Sequence, residues 1–137
     1  MSTVVATLIQ SIGGIAGPRH AGCDPSGRLQ VTVMTPTDSI TLCALVGEVD
    51  YYTAGIFRSR LIGSLRTAAS AVVVDLSRVT FFGIAGLRVL TEVQARAGGT
   101  LALITGQRCV DRLLAAADEV ATFRVVTSLA EAVTDAA

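Results

Sequence analysis

The chain has 137 residues, of which 51% are hydrophobic, 16% are charged and only 4% are aromatic. Its eleven basic residues, all arginine, balance eleven acidic residues to a formal net charge of zero. This length fits one domain with an aliphatic core. A net charge of zero gives the chain no overall electrostatic attraction to nucleic acid or to an acidic membrane surface. We interpret the absence of lysine as a GC-rich, bacterial coding bias.

Cysteine and histidine are too few for the common metal and catalytic sites. Cys23, Cys43 and Cys109 are widely spaced without a C-x-x-C motif, which favours small buried thiols in a reducing compartment. With His20 as the one histidine, we expect neither a His-rich zinc site nor a Ser-His-Asp triad. No apolar run reaches ~18 residues and no basic residue precedes the apolar start, so we expect a cytoplasmic protein. We expect no enzymatic activity, no cofactor and no metal.

Residues 1–28 differ in composition from the rest of the chain and predict an N-terminal extension, with the domain itself at residues 29–137. Four apolar residues at helical spacing indicate a short amphipathic helix: Val5, Leu8, Ile9 and Ile12. Residues 17–28 are rich in glycine and proline and predict a linker. The extension is either a poorly ordered tail or a stripe that docks on the domain or on a second copy. We predict that residues 4–16 contribute to self-association as a homodimer.

The first elements of the domain predict a β-hairpin followed by a helix. Residues 29–34 alternate in hydrophobicity around Val31 and Val33, residues 40–46 form an apolar strand-like run, and the turn-forming residues 36–39 separate the two. Asp50 is well placed to cap a helix over residues 51–65.

The remaining elements predict alternating strands and helices. Residues 71–76 read as a central strand that is apolar on both faces, and the glycine-flanked turn 83–86 opens a helix over residues 84–97. Further strands are predicted at 101–104 and 123–126, and further helices at 109–117 and 128–133, the last opened by a Ser128–Glu131 capping box. The order ββαβαβαβα predicts an α/β fold whose four- to five-stranded mixed sheet has a mostly parallel section.

Two loops are expected to lie together at one edge of this sheet. If strands 40–46 and 71–76 are parallel, their carboxyl ends meet at the edge where α/β sheets usually bind ligands and partners. Loop 47–53 and turn 80–87 would then be neighbours. Four of the six aromatic residues fall in these loops: Tyr51, Tyr52, Phe81 and Phe82. Two interpretations stay open, an exposed contact surface and a contribution to the core.

Three segments carry a pattern more specific than secondary structure. They are GEVDYYTAGIFRSRL at 47–61, VVVDLSRVTFFGIAGLRVL at 72–90 and FRVVTSLAEAV at 123–133. Together with the order of elements over residues 29–136, they resemble the STAS family of bacterial anti-sigma factor antagonists. The resemblance implies a small sheet with helices mainly on one face. It also implies a non-enzymatic function, in which the protein binds an anti-sigma factor of the serine kinase type and so releases a sigma factor for transcription.

The resemblance also implies where the partner binds and how binding is regulated. The implied partner-binding residues are Asp50, Tyr51, Tyr52, Thr53, Thr80, Phe82, Gly83, Ile84, Ala85, Gly86 and Leu87. Switchable members carry Asp-Ser-Ser or Asp-Ser-Thr before the glycine of the turn, and the first hydroxyl residue is phosphorylated by the anti-sigma factor. Here Gly83, Ile84 and Ala85 stand at those positions. Ile84 has no hydroxyl, so the resemblance implies an antagonist without this switch, whose turn offers Phe82, Ile84 and Leu87 as an apolar contact.

Three alternatives stay open. The chain is a STAS interaction module for a non-sigma partner, or a small-ligand or nucleotide-sensing domain, although Gly83-x-x-Gly86 lacks the lysine and hydroxyl of a phosphate-binding loop. The third alternative is a shifted phosphosite at Thr80 or Ser77, although hydroxyls at strand ends usually satisfy backbone groups. Asp75 lies within a strand, and we expect it to be structural.

Overall fold

A computed structural model describes residues 20–23, 27–67, 71–97, 101–117 and 123–136. Its strands are β1 His20–Cys23, β2 Leu29–Thr37, β3 Ile40–Val49, β4 Ala71–Phe82, β5 Leu101–Ile104 and β6 Arg124–Val126. Its helices are α1 Ala54–Thr67, α2 Ile84–Ala97, α3 Arg108–Ala116 and α4 Leu129–Ala136. The helix and the self-association predicted within residues 1–16 lie outside the described residues.

The six strands form one mixed sheet in the order β1-β2-β3-β4-β5-β6. β1 to β3 pair antiparallel, whereas β3 to β6 pair parallel. The predicted hairpin is confirmed as β2 and β3, and the predicted parallel section is confirmed as β3 to β6. Each parallel connection contains a helix, as the alternation of strand and helix patterns required.

The sheet has six strands, whereas the sequence predicted four to five. β1 forms within the stretch predicted to be a linker, and it pairs along the edge of β2, with His20 opposite Val33 and Cys23 opposite Gln30. Edge pairing uses backbone N–H and C=O groups. Such pairing does not require an alternating apolar pattern. The stretch around β1 is rich in glycine and proline and shows no such pattern, so the strand could not be recognised from the sequence.

Helices cover the two faces of the sheet unequally. One face, together with α1, α2 and α3, forms the larger core, in which Phe57, Leu61, Leu90 and Val110 are fully buried. The other face packs against α4 through Leu129 and Ala132 in a smaller cluster. Three of the four described helices therefore share one face, as predicted. None of the described helices is long and apolar enough to cross a membrane.

β4 is twice as long as the predicted strand 71–76. Its ladder with β3 shifts register twice, between Ala44 and Val46 and again between Gly47 and Glu48. The first irregularity lies at Ser77, whose N–H and hydroxyl both donate to the Asp75 carboxylate, at 2.9 and 2.6 Å. The expectation that Asp75 is structural is confirmed. Bulges of this kind bend a strand and re-aim its side chains.

The predicted Ser128–Glu131 capping box forms, whereas α1 begins at Ala54, three residues later than predicted, so Asp50 bonds the turn that leads into this helix. Ser128 Oγ accepts the N–H of Glu131 at 3.2 Å, and the Glu131 carboxylate reaches back to the N–H of Thr127 at 2.8 Å. Asp50 Oδ1 accepts the N–H groups of Tyr52 and Thr53, at 2.9 and 3.0 Å. Short polar side chains at these positions satisfy N–H groups that the first helical turn leaves without a partner.

Candidate functional site

The loop after β3 and the turn after β4 meet at the carboxyl edge of the parallel strands. The N–H of Gly83 donates to the carbonyl of Val49 at 2.9 Å, and the hydroxyl of Thr80 donates to the carbonyl of Gly47 at 3.3 Å. These bonds hold the two segments together by their backbones. The structure therefore brings together the two loops that the sequence predicted to be neighbours.

Asp50 and Thr53 fix the loop after β3 to the start of α1. The N–H of Asp50 donates to Thr53 Oγ1 at 2.9 Å, and that hydroxyl donates to the carbonyl of Glu48 at 2.8 Å. Thr53 is completely buried. Its side chain consequently supports the loop from within and cannot meet a partner directly.

Arg28 is part of this site and was missed by the sequence analysis. Its carbonyl accepts the N–H of Glu48 at 2.9 Å, and its guanidinium donates to the Asp50 carboxylate and lies 3.9 Å from the Glu48 carboxylate. The hydrogen bond from Arg28 is the main reason that the pKa of Asp50 is below its ordinary value. No local motif marks Arg28, because strand pairing brings it to Asp50 across 22 residues.

The aromatic half of the site is exposed to solvent. Tyr51 and Tyr52 are 83% and 79% exposed, and their rings meet edge to face with centroids 5.5 Å apart. The Arg28 guanidinium lies 6.0 Å from the centroid of the Tyr52 ring. Two adjacent tyrosines exposed to this degree lie outside the core, so for them the exposed-surface interpretation holds.

The turn after β4 presents different residues from those predicted. Ile84 is 62% exposed, but Phe82 and Leu87 are buried in the core, so the predicted apolar contact of all three is wrong for two of them. Phe81 is 48% exposed instead. For the two phenylalanines the reason is the register shift opposite Gly47 and Glu48, which breaks the alternation along β4, whereas Leu87 lies on the buried face of α2.

The two glycines of the turn have different structural roles. At Gly86, an added Cβ would lie 2.8 Å from the Phe82 ring and from Val49 Cγ1, so only glycine lets α2 pack this closely. The carbonyl of Gly83 accepts the N–H groups of Gly86 and Leu87, at 3.0 and 3.2 Å, and so begins the helix. Ile84 is consequently the first residue of α2, with its side chain directed to solvent at the helix N-terminus.

The nearest hydroxyl groups to Ile84 along β4 differ in accessibility. Ser77 is half-buried and donates to Asp75, while its carbonyl accepts Gln107 Nε2 at 2.6 Å, so its environment is structural. Thr80 is exposed and makes one weak hydrogen bond, to the Gly47 carbonyl. Of the two alternative phosphosites, Thr80 is the more open to solvent.

The two cysteines with described side chains differ in burial. Cys43 is fully buried, and burial raises the pKa of its thiol to about 12, which keeps it protonated and unreactive. Cys109 is half-buried and donates to the carbonyl of Val79 at 3.5 Å. The interpretation as buried structural thiols is confirmed for Cys43.

Comparison with known proteins identifies the family. A sequence model of the STAS domain matches residues 32–132. The chain belongs to the STAS domain family. Among curated proteins, no sequence matches this STAS domain.

Solved structures share the fold of this STAS domain. An anti-sigma factor antagonist from Mycobacterium paratuberculosis superposes with a TM-score of 0.74 at 22% identity, covering 84% of this chain and 98% of its own. A putative anti-sigma factor antagonist from Thermotoga maritima gives 0.65 at 18% identity, covering 77% and 93%. The Bacillus cell fate determinant SpoIIAA in its phosphorylated form gives 0.60 at 12% identity, covering 78% and 99%. At these identities the likeness establishes the fold.

Proposed function

We propose that this STAS domain is an anti-sigma factor antagonist. It binds an anti-sigma factor of the serine kinase type in the cytoplasm and thereby releases a sigma factor for transcription. Binding is not controlled by phosphorylation at position 84. The observation that carries the proposal is the exposed Ile84 side chain at the first position of α2, beside the exposed tyrosines of the neighbouring loop.

The exposed apolar side chains at this edge form a surface suited to a protein partner. Four of them lie on or next to the two segments that the Gly83–Val49 hydrogen bond joins, and we refer to them as the apolar surface: Tyr51, Tyr52, Phe81 and Ile84. Clustered apolar groups of this kind mark interaction sites more often than singly exposed ones. Tyrosine in particular is enriched among residues that dominate binding energy.

The remaining proposed partner-binding residues fall into two groups, those accessible to a partner and those that support the apolar surface from within. Gly83, Ala85 and Thr80 are at least partly exposed and border the apolar surface. Thr53, Phe82, Gly86 and Leu87 are buried, and Asp50 is committed to Arg28 and the helix cap. We therefore assign direct contact to the first group and the apolar surface, and support to the second.

An isoleucine at position 84 rules out control by phosphorylation there and favours an apolar contact with the partner. It offers no oxygen to accept a phosphoryl group. A phosphate at this position would add nearly two negative charges to a contact that is otherwise apolar, and so oppose binding. With Ile84, the apolar contact is permanent, so we infer that the protein stays competent to bind its kinase partner.

Complex formation tests the proposal directly. The protein is mixed with each anti-sigma kinase of its source organism, with and without ADP or ATP, and the mixtures are analysed by size-exclusion chromatography with light scattering. We expect a stable complex with at least one kinase. Failure to bind every one of them under all nucleotide conditions would contradict the proposal, and a complex with a non-kinase protein would favour an interaction module for another partner.

A further inference from the structure

Arg28 connects the start of β2 to the loop that carries the exposed tyrosines. Its carbonyl bonds the N–H of Glu48, one residue beyond the ladder in which Leu29 pairs with Gly47. This backbone contact places the Arg28 side chain beside the loop. The guanidinium then donates to the carboxylate of Asp50 and lies close to that of Glu48.

Arg28 acts on Tyr52 in two ways, through the Asp50 carboxylate and directly through the Tyr52 ring. The same Asp50 carboxylate accepts the N–H of Tyr52 at 2.9 Å, so Arg28 orients the group that fixes the Tyr52 backbone. The Arg28 guanidinium also lies 6.0 Å from the centroid of the Tyr52 ring, within range of a cation–π interaction. The edge-to-face contact between Tyr52 and Tyr51 extends this restraint to the second ring.

We propose that Arg28 is the positioning residue for the two tyrosines of the apolar surface. This inference rests on the proposed function, since it concerns how the partner surface is prepared. Binding immobilises side chains at an interface, and a surface already ordered in the free protein loses less conformational freedom. Arg28 therefore acts on affinity through Tyr51 and Tyr52 without touching the partner itself.

The guanidinium group is suited to this role in a way that an ammonium group is not. Its planar fork can donate to a carboxylate while its face lies against an aromatic ring. Lysine would keep the charge beside Asp50 but lose the guanidinium plane that faces the Tyr52 ring at 6.0 Å from its centroid. Methionine would keep most of the length of the side chain and lose both interactions.

Arg58 offers a matched control within the same chain. It also bonds a carboxylate, donating from Nε to Glu92 Oε1 at 2.8 Å, and it joins α1 to α2. Its side chain is 48% exposed and that of Arg28 is 35% exposed. Ion pairs with this exposure add little to global stability, so Arg28→Met and Arg58→Met remove comparable bonds at different places.

Amide hydrogen exchange and partner affinity together test the inference. In Arg28→Met we expect exchange of the Tyr52 and Thr53 N–H groups to accelerate about tenfold or more, with exchange in the central strand β4 unchanged. Affinity for the kinase captured in the complex experiment should fall about tenfold. Arg28→Lys should lie between wild type and Arg28→Met in both measurements, and Arg58→Met should match wild type.

Three results would overturn the inference. They are unchanged exchange at Tyr52, equal acceleration across the whole sheet, and accelerated exchange with unchanged kinase affinity. The proposed function fails separately if no kinase binds the wild-type protein. In that case exchange at Tyr52 still decides whether Arg28 positions the loop, because the measurement requires no partner.

Discussion

Replacement of Ile84 by aspartate is expected to weaken kinase binding by about 100-fold or more without destabilising the protein. Ile84 is 62% exposed and is part of the apolar surface. Removing an anchor side chain from an interface typically costs at least ~2 kcal/mol, and a carboxylate buried there without a partner adds a desolvation cost. Titration calorimetry with the captured kinase measures the loss of affinity.

The stability of Ile84→Asp should stay within about 0.5 kcal/mol of wild type, because exposed substitutions rarely perturb folding. A negative charge at a helix N-terminus is itself mildly favourable. Ala95→Asp is the matched control, since Ala95 is exposed on the same helix about 16 Å further along its axis. Ala95→Asp should bind normally. Equal binding by Ile84→Asp and wild type would contradict the placement of the partner on this turn.

Replacement of Gly47 by alanine is expected to lower the free energy of unfolding by about 3–5 kcal/mol. Gly47 has φ +117°, and an added Cβ would lie 2.0 Å from the Arg28 carbonyl oxygen. Both features belong to the backbone, so a change of rotamer cannot relieve them. Backbone strain of this kind costs about 1–3 kcal/mol and the forced displacement a similar amount, a large share of a typical domain's ~5–15 kcal/mol.

Urea denaturation measures the free energy of unfolding of Gly47→Ala, and Gly63→Ala, which is expected to be stabilised, serves as the comparison. Gly63 lies within α1, and an added Cβ there meets no atom within 4 Å. Gly63→Ala should raise the free energy of unfolding by about 0.5–1 kcal/mol, because glycine is unfavourable inside a helix. If Gly47→Ala costs less than about 1 kcal/mol, the close approach of Arg28 to Gly47 is wrong. The pairing of the start of β2 with the end of β3 would then need revision.

The sequence predicted those parts of the fold that depend on local pattern. Ser128 comes directly before an apolar helical stripe and forms the predicted cap, and Asp50 bonds the N–H groups of the turn that leads into α1. The apolar run 71–74 and the helix that follows the turn identified the central strand and α2. These features are recognisable because the chemistry that begins or buries an element lies within a few residues of it.

The parts that were missed depend on pairing between distant segments. β1 forms by backbone pairing with β2, and Arg28 meets Asp50 because β2 and β3 are neighbours. Phe81 is exposed where Phe82 was predicted to be, because a bulge in β4 shifts the alternation of its side chains. The two loops were therefore predicted correctly to meet at one edge of the sheet, but Phe82 and Leu87 were predicted to be exposed there and are buried.

The effect of ATP on the complex tests the central claim most directly. The protein is incubated with its anti-sigma kinase and ATP, and intact mass spectrometry and size-exclusion chromatography are applied to the same sample. Ile84→Ser is run in parallel, and we expect it to gain one phosphate and leave the complex. For the wild-type protein we predict an unchanged mass and a complex that persists with ATP. A phosphopeptide containing Thr80, or release of the wild-type protein on adding ATP, would contradict the account.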